Sequence, residues 1–338
     1  MPGPGKGVCG GAKPARGSGV SALVMGLAGG PPVGARRRGP ARRRSRRPSP
    51  SPPLPYTAPV PTFERDGFSM YYEEAGDPEA PAVVLLHGFT SDHRMWLPVA
   101  EPLSQDYRII APDMRGHGAT TAPEDLATYT MEAFAGDVAA LLDHLEVDIC
   151  ALAGCSFGGM VALQFAVTWP ERLAALVLSD TSAAFAHPEY DERYLRREET
   201  IAAQMDLVER FGPAEVGRRA ARDIGDEFLA AGIRQRWARM SREGLLGAAK
   251  ARRERPDLLG LVGERITMPT LVCIGEDDPV RSACEVMMRE LPAARYLTFK
   301  ATGHGIPSLQ PELYAREVLR FFDDVEEGRE VAEKRRVG

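Results

Sequence analysis

A short apolar run closed by a turn residue recurs along this chain, with helical stretches between the copies. AVVLLHG (82–88), YRIIAPD (107–113), DICALAG (148–154), LAALVLSD (173–180) and TLVCIGE (270–276) share the form, RYLTF (295–299) is a weaker version, and FSMYYEEAG (68–76) reads as an early strand. A continuous apolar run of this length, without alternation, is the pattern of a strand covered on both faces. TMEAFAGDVAALLDHLE (130–146), FGGMVALQFAVTW (157–169) and PELYAREVLRFFDDV (311–325) carry helical spacing. Alternation of this kind predicts an α/β fold, a mostly parallel central sheet flanked by helices.

One interval breaks the rhythm. From Ala183 to Glu264 there is no apolar strand, only charged helical stretches interrupted at Gly212-Pro213 and Gly225. It predicts a helical cap inserted between the sixth and seventh main strands. The expected organisation is a core over 61–182 and 265–326, a cap over 183–264, a charged C-terminal tail over 327–338 and a separate segment 1–60.

That N-terminal segment holds 12 Gly, 12 Pro and 11 Lys or Arg, with no Asp or Glu. Such a composition buries too little apolar surface to offset chain entropy, so it predicts a disordered basic tail. Without it, residues 61–338 carry 31 basic and 47 acidic side chains, about −16. An acidic body argues against a nucleic-acid surface and leaves ARRRGPARRRSRR (35–47), read as solvated, as the one candidate for an anionic partner. VSALVMGLAGG (20–30) is too short to span a bilayer and lacks a small-residue cleavage site, so it argues against a membrane span or secretion. The five cysteines, Cys9, Cys150, Cys155, Cys273 and Cys284, form no Cys-x-x-Cys pair and suit a reduced, cytoplasmic protein. No His/Cys spacing suggests a metal, and no phosphate loop suggests a nucleotide.

The chemistry concentrates in LAGCSFGGM (152–160). Ser156 directly follows an apolar strand and precedes a helix, where a strained elbow would lift its hydroxyl out of the sheet. A serine hydroxyl needs a base, and the base needs an orienting acid. His304, in KATGHGIPS (300–308), follows the last strand, at the sheet edge where all parallel strands end. Asp278, in IGEDDPV (274–280), follows the strand before it and completes the order Ser, Asp, His; Asp180 and Asp277 are the competing acids. HGFT (87–90) closes a buried strand so that the Phe89 amide, with that of Phe157, can face a developing oxyanion.

Taken together, HGFTSDHRMW (87–96), APDMRGHG (111–118), GCSFGGM (154–160), IGEDDPV (274–280) and TGHG (302–305) resemble the α/β-hydrolase superfamily over roughly 62–325. Within it the chain is most similar to 3-oxoadipate enol-lactonases, related esterases and cofactor-free haloperoxidase-like proteins. The resemblance implies a turn of structural residues at Asp113, Arg115 and His117. A serine at the elbow argues against the dehalogenases and epoxide hydrolases, which place aspartate there. The expected activity is hydrolysis of a small carboxylic ester or lactone through an acyl-enzyme, without cofactor or metal. A C–C bond hydrolase or thioesterase on the same triad, or a ligand receptor of the same fold, are the rival readings, and homo-oligomerisation is left open. Phe185, Tyr190, Tyr194, Met205, Phe211, Phe228 and Trp237 are expected to form the cap core, a few of them lining the acyl site.

Overall fold

The computed structural model describes residues 61–65 and 67–338. The basic segment 1–60, with Cys9, lies outside them. Among the described residues nine strands form one sheet in the order β1-β2-β4-β3-β5-β6-β7-β8-β9. They are β1 (Thr62–Arg65), β2 (Phe68–Ala75), β3 (Ala82–Leu86), β4 (Arg108–Pro112), β5 (Cys150–Cys155), β6 (Leu173–Ser179), β7 (Thr270–Gly275), β8 (Arg295–Phe299) and β9 (Glu333–Val337). The first two pair antiparallel, β2 joins β4 antiparallel, and every later pairing is parallel.

The sheet is covered on both faces, which is why β3, β5 and β7 are buried at every position. Alternate residues of β5 divide between the two cores. Cys150 and Leu152 join the cluster of α2 (Met131–His144) and α3 (Phe157–Thr168), while Ala151, Ala153 and Cys155 join that of α1 (Leu97–Leu103) and α11 (Pro311–Glu326). Helix α2 starts where Thr130 Oγ1 accepts from Ala133 N at 3.1 Å. Helix α3 is apolar all round because it is enclosed all round, buried from Phe157 to Val167. It stops at Trp169-Pro170, since proline cannot extend it.

Between β6 and β7 stand five helices: α4 (Glu192–Phe211), α5 (Pro213–Ala221), α6 (Glu227–Ala238), α7 (Arg242–Glu254) and α8 (Leu259–Arg265). Asp191 caps α4, accepting from Tyr194 N at 2.9 Å, and the helix ends at Gly212 (φ 77°) with Pro213 opening the next. Tyr190, Tyr194, Met205 and Trp237 are buried as a cap core requires, but Phe211 and Phe228 stand on the surface. Helices α9 (Arg281–Arg289) and α10 (Ile306–Leu309) complete the core.

The C-terminal residues 327–338 differ from the charged tail expected. EKRRV contains no apolar run, yet Glu333–Val337 pairs parallel with β8 as an edge strand. Charge is tolerated there because, among the described residues, no strand pairs with the outer edge of β9, while Val337 is buried and Arg335 reaches Glu317 at 2.6 Å. Among the described residues no helix is long and apolar enough to cross a membrane.

Candidate active site

Ser156 joins β5 to α3 at φ 55°, ψ −112°, a backbone state that L-residues occupy at a cost of about 1–3 kcal/mol. Surrounding bonds hold it there: its N–H donates to Ser179 O at 2.8 Å, and its carbonyl accepts from Thr181 Oγ1 at 2.8 Å and Met160 N at 3.1 Å. The turn also needs bare backbone beside it. A Cβ on Gly154 would lie 2.3 Å from Gly158 O, and one on Gly158 would lie 2.2 Å from Leu86 O, so helix and strands can approach this closely only at glycine.

Loops after three other strands converge on the hydroxyl. His304, after β8, places Nε2 2.8 Å from Ser156 Oγ. Its Nδ1 lies 2.9 Å from Asp278 Oδ2 and 3.1 Å from Oδ1, and Asp278 follows β7. With Nδ1–H donating to a carboxylate, Nε2 is left as the acceptor facing the serine. Asp278 is sealed in, and burial opposes its charge. The facing His304, a hydrogen bond from Asp180 and the Val280 amide at 2.7 Å nevertheless hold its carboxyl below the usual range. Among the described residues neither Asp277 nor Asp180 forms a hydrogen bond or ion pair with the imidazole, whose carboxylate partner is Asp278. Asp180 instead accepts from the amides of Gly305 (2.9 Å) and Ile306 (2.8 Å), which follow His304.

After β3, Gly88 brings the loop against the elbow, where a Cβ on it would lie 3.7 Å from Ser156 Cβ. Phe89 and Phe157 are ring neighbours at 6.2 Å, and neither amide is used in a turn or loop hydrogen bond among the described residues. The Phe157 N–H heads a helix, so its own helix supplies no acceptor. His87 is fully buried under this loop. Its Nε2 accepts from Met114 N at 3.0 Å and its Nδ1 donates to Gly88 O at 2.9 Å, fixing the neutral tautomer.

Comparison with known proteins follows the same residues. A family model described as alpha/beta hydrolase fold matches residues 81–309. The chain belongs to the α/β-hydrolase family. Among relatives of this α/β-hydrolase, the 3-oxoadipate enol-lactonase 1 of Acinetobacter baylyi is 26% identical over 271 residues, covering 78% of this chain and 96% of that one. A Bacillus subtilis protein provisionally named 2-succinyl-6-hydroxy-2,4-cyclohexadiene-1-carboxylate synthase is 29% identical over 273 residues, covering 77% and 97%. Of solved structures, a thermophilic esterase from Thermogutta terrifontis with malate bound is 31% identical with a TM-score of 0.66, over 79% of this chain and 97% of that one. These relatives mark the chain as a hydrolase-type enzyme with esterase and enol-lactonase kin.

The turn after β4 holds this α/β-hydrolase together. Asp113 accepts from His93 N (2.7 Å), His93 Nδ1 (2.9 Å) and Ala119 N (2.8 Å), while Arg115 forks onto both oxygens of Asp137 at 2.8 Å. Asp92, His93 and Asp113 are the one group among the described residues whose donor atoms lie close enough to hold a metal ion. Arg94 takes Asp92 at 2.8 Å, so fold contacts already engage all three.

Two residues of the site escape a reading of motifs. Arg197, from α4, reaches His304 Nε2 at 3.1 Å, and Arg252, from α7, stands 6.0 Å over the Phe89 ring. Their signal is positional. Each occupies the apolar stripe of its helix, Arg197 between Tyr194 and Ile201 and Arg252 one turn after Ala248.

Proposed function

We propose that this α/β-hydrolase cleaves a carboxylic ester or lactone through a covalent acyl-enzyme on Ser156. The observation that carries the reading is the unbroken run from Ser156 Oγ to His304 Nε2 (2.8 Å) and from His304 Nδ1 to Asp278 (2.9 Å). His304 accepts the hydroxyl proton as Oγ bonds to the substrate carbonyl carbon, and the carbonyl π electrons move onto oxygen. The Phe89 and Phe157 amides receive that oxyanion, a contribution of about 3–4 kcal/mol per well-placed donor. When the tetrahedral adduct collapses, the alkoxy or enol oxygen leaves with the proton from His304. Water then repeats the sequence on the acyl-enzyme, its proton passing to His304 and on to the departing Ser156 oxygen. Asp278 keeps Nδ1–H in place and offsets the imidazolium charge at each step.

The esterase and enol-lactonase relatives support this choice of bond. Ser156→Ala tests it: turnover of a simple p-nitrophenyl ester should fall about 10⁴-fold or more with the melting temperature retained. Activity within tenfold of wild type would remove Ser156 from the role.

A further inference from the structure

An arginine on the buried stripe of a helix carries its charge out of water, and it stays there only where something negative meets it. The cap does this repeatedly above Ser156. Arg197 and Arg252 share a single carboxylate, Glu198, whose Oε1 accepts from Arg197 Nη1 at 3.0 Å and whose Oε2 accepts from Arg252 Nη1 at 2.6 Å. Arg255, beside them, meets only neutral oxygens, among them Arg252 O at 2.7 Å and Ser182 Oγ at 3.0 Å. Two buried guanidiniums thus share one carboxylate while a third beside them has none, and the Nε of all three has no hydrogen-bond partner. Burial pushes the Arg252 guanidinium below its ordinary value. Glu198 works against that shift, and the like charges of Arg197 and Arg255 add to it. The local charge is short of anion.

The excess points at the reacting centre. Arg252 lies over the Phe89 ring at 6.0 Å and the Phe185 ring at 5.9 Å, at the oxyanion loop. Arg197 Nη2 lies 3.1 Å from His304 Nε2, the atom that also faces Ser156 Oγ. A guanidinium can only donate, and a neutral imidazole has one lone pair at Nε2. While Arg197 holds that lone pair the serine proton has no clear acceptor, and an imidazolium formed there would face a second cation. Something must draw Arg197 away.

Building on the hydrolase reading above, we propose that the substrate carries a carboxylate a short distance from its scissile acyl group. Arg252 and Arg197 bind that carboxylate together, and Arg197 leaves His304 as it does so. A carboxylate matches the planar fork of each guanidinium, and one such charge answers part of the local deficit. Anion binding then frees the general base, so a neutral ester of the same shape is a poorer substrate for two reasons, lost affinity and a base still engaged.

Two measurements on the full chain separate this proposal from the hydrolase reading. With Ser156→Ala protein, glutarate at millimolar concentration should raise the melting temperature, whereas dimethyl glutarate and inorganic phosphate should not. With wild-type protein, pH-stat assays of monoethyl glutarate and ethyl pentanoate, matched in length, should give kcat/KM at least tenfold higher for the anionic ester. Arg252→Gln should bring that ratio near one, and Arg252→Lys should retain part of it. A glutarate shift absent from the Ser156→Ala protein, a shift from phosphate in its place, or equal rates on the two esters would overturn the proposal and leave the hydrolase standing. If neither ester nor any simpler one is cleaved, the hydrolase reading fails, and the glutarate shift still decides whether the arginines bind a carboxylate.

Discussion

Asp180 and Asp278 are two carboxyl groups buried side by side in the protein interior, and each shifts the ionisation of the other. Burial, and then the neighbouring Asp278 charge, push Asp180 well above the usual carboxylate range. Its other contacts are amide donors: Gly275 N at 3.3 Å, Gly305 N at 2.9 Å and Ile306 N at 2.8 Å. Asp180 therefore braces both the acid and the loop that carries His304.

Asparagine keeps the shape of Asp180 and a side-chain oxygen for its amide donors. Asp180→Asn should keep ester turnover within about tenfold of wild type, while Asp180→Ala, which strands three amide donors, should lose roughly 10²-fold and about 1–3 kcal/mol of stability. Asp278→Asn should cost about 10⁴-fold with the fold intact, because an amide turns the imidazole to the wrong tautomer. Steady-state kinetics on one ester, with urea denaturation of each variant, reads all three. An inactive Asp180→Asn beside an active Asp278→Asn would reverse the assignment.

Close backbone contact at the elbow predicts opposite signs for two glycine substitutions. Gly158→Ala drives a Cβ to 2.2 Å from Leu86 O and should destabilise by at least 1–3 kcal/mol. On helix α6, Gly232 has open space around it, so Gly232→Ala should stabilise by about 0.5–1 kcal/mol. Chemical denaturation midpoints of the pair check the contrast.

The final strand should matter to stability although it is charged. Ending the chain after Gly328 removes the pairing of β9 with β8, the burial of Val337 and the Arg335–Glu317 contact. The loss from Val337 alone is about 1.5–3 kcal/mol. A lower urea midpoint is expected; an unchanged one would show that β9 contributes nothing.

Much of this architecture can be read from residues in a row, and the parts that cannot share a physical cause. β3, β5 and β7 are enclosed on both faces, so their apolar runs announce them, whereas β9 is an edge whose EKRRV stretch looks like a tail. Ser156, Asp278 and His304 sit on short turns after strands, where spacing along the chain mirrors position at one sheet edge. The cap is different. Arg197 and Arg252 meet the site through helix packing, which brings Arg197 to His304 107 residues away, and charged helices read by default as solvated. Asp180 could be picked out as a competing acid, but its raised pKa comes from burial against Asp278, which no local pattern records.

Two histidines buried beside the Phe89 loop predict an acid limit to stability. Burial lowers the pKa of His87, and burial with the nearby His87 lowers that of His117 to about 3. A histidine whose folded pKa is depressed contributes stability that is complete above its unfolded value, about 6.5, and is lost as pH falls below it. Melting temperature should therefore decline from pH 7 toward pH 4. His117→Asn, which removes one titrating group from beside Phe89 and Phe157, should flatten that decline. A slope unaltered by the substitution would mean that His117 does not report on acid unfolding.

The central claim is that Ser156 forms the covalent intermediate. Intact-mass analysis after stoichiometric treatment with a fluorophosphonate, followed by peptide mapping, tests it directly. One adduct per chain is predicted, on the peptide containing Ser156, and none in Ser156→Ala. An adduct on any other residue, or full ester turnover by a protein that takes no label, would contradict the account.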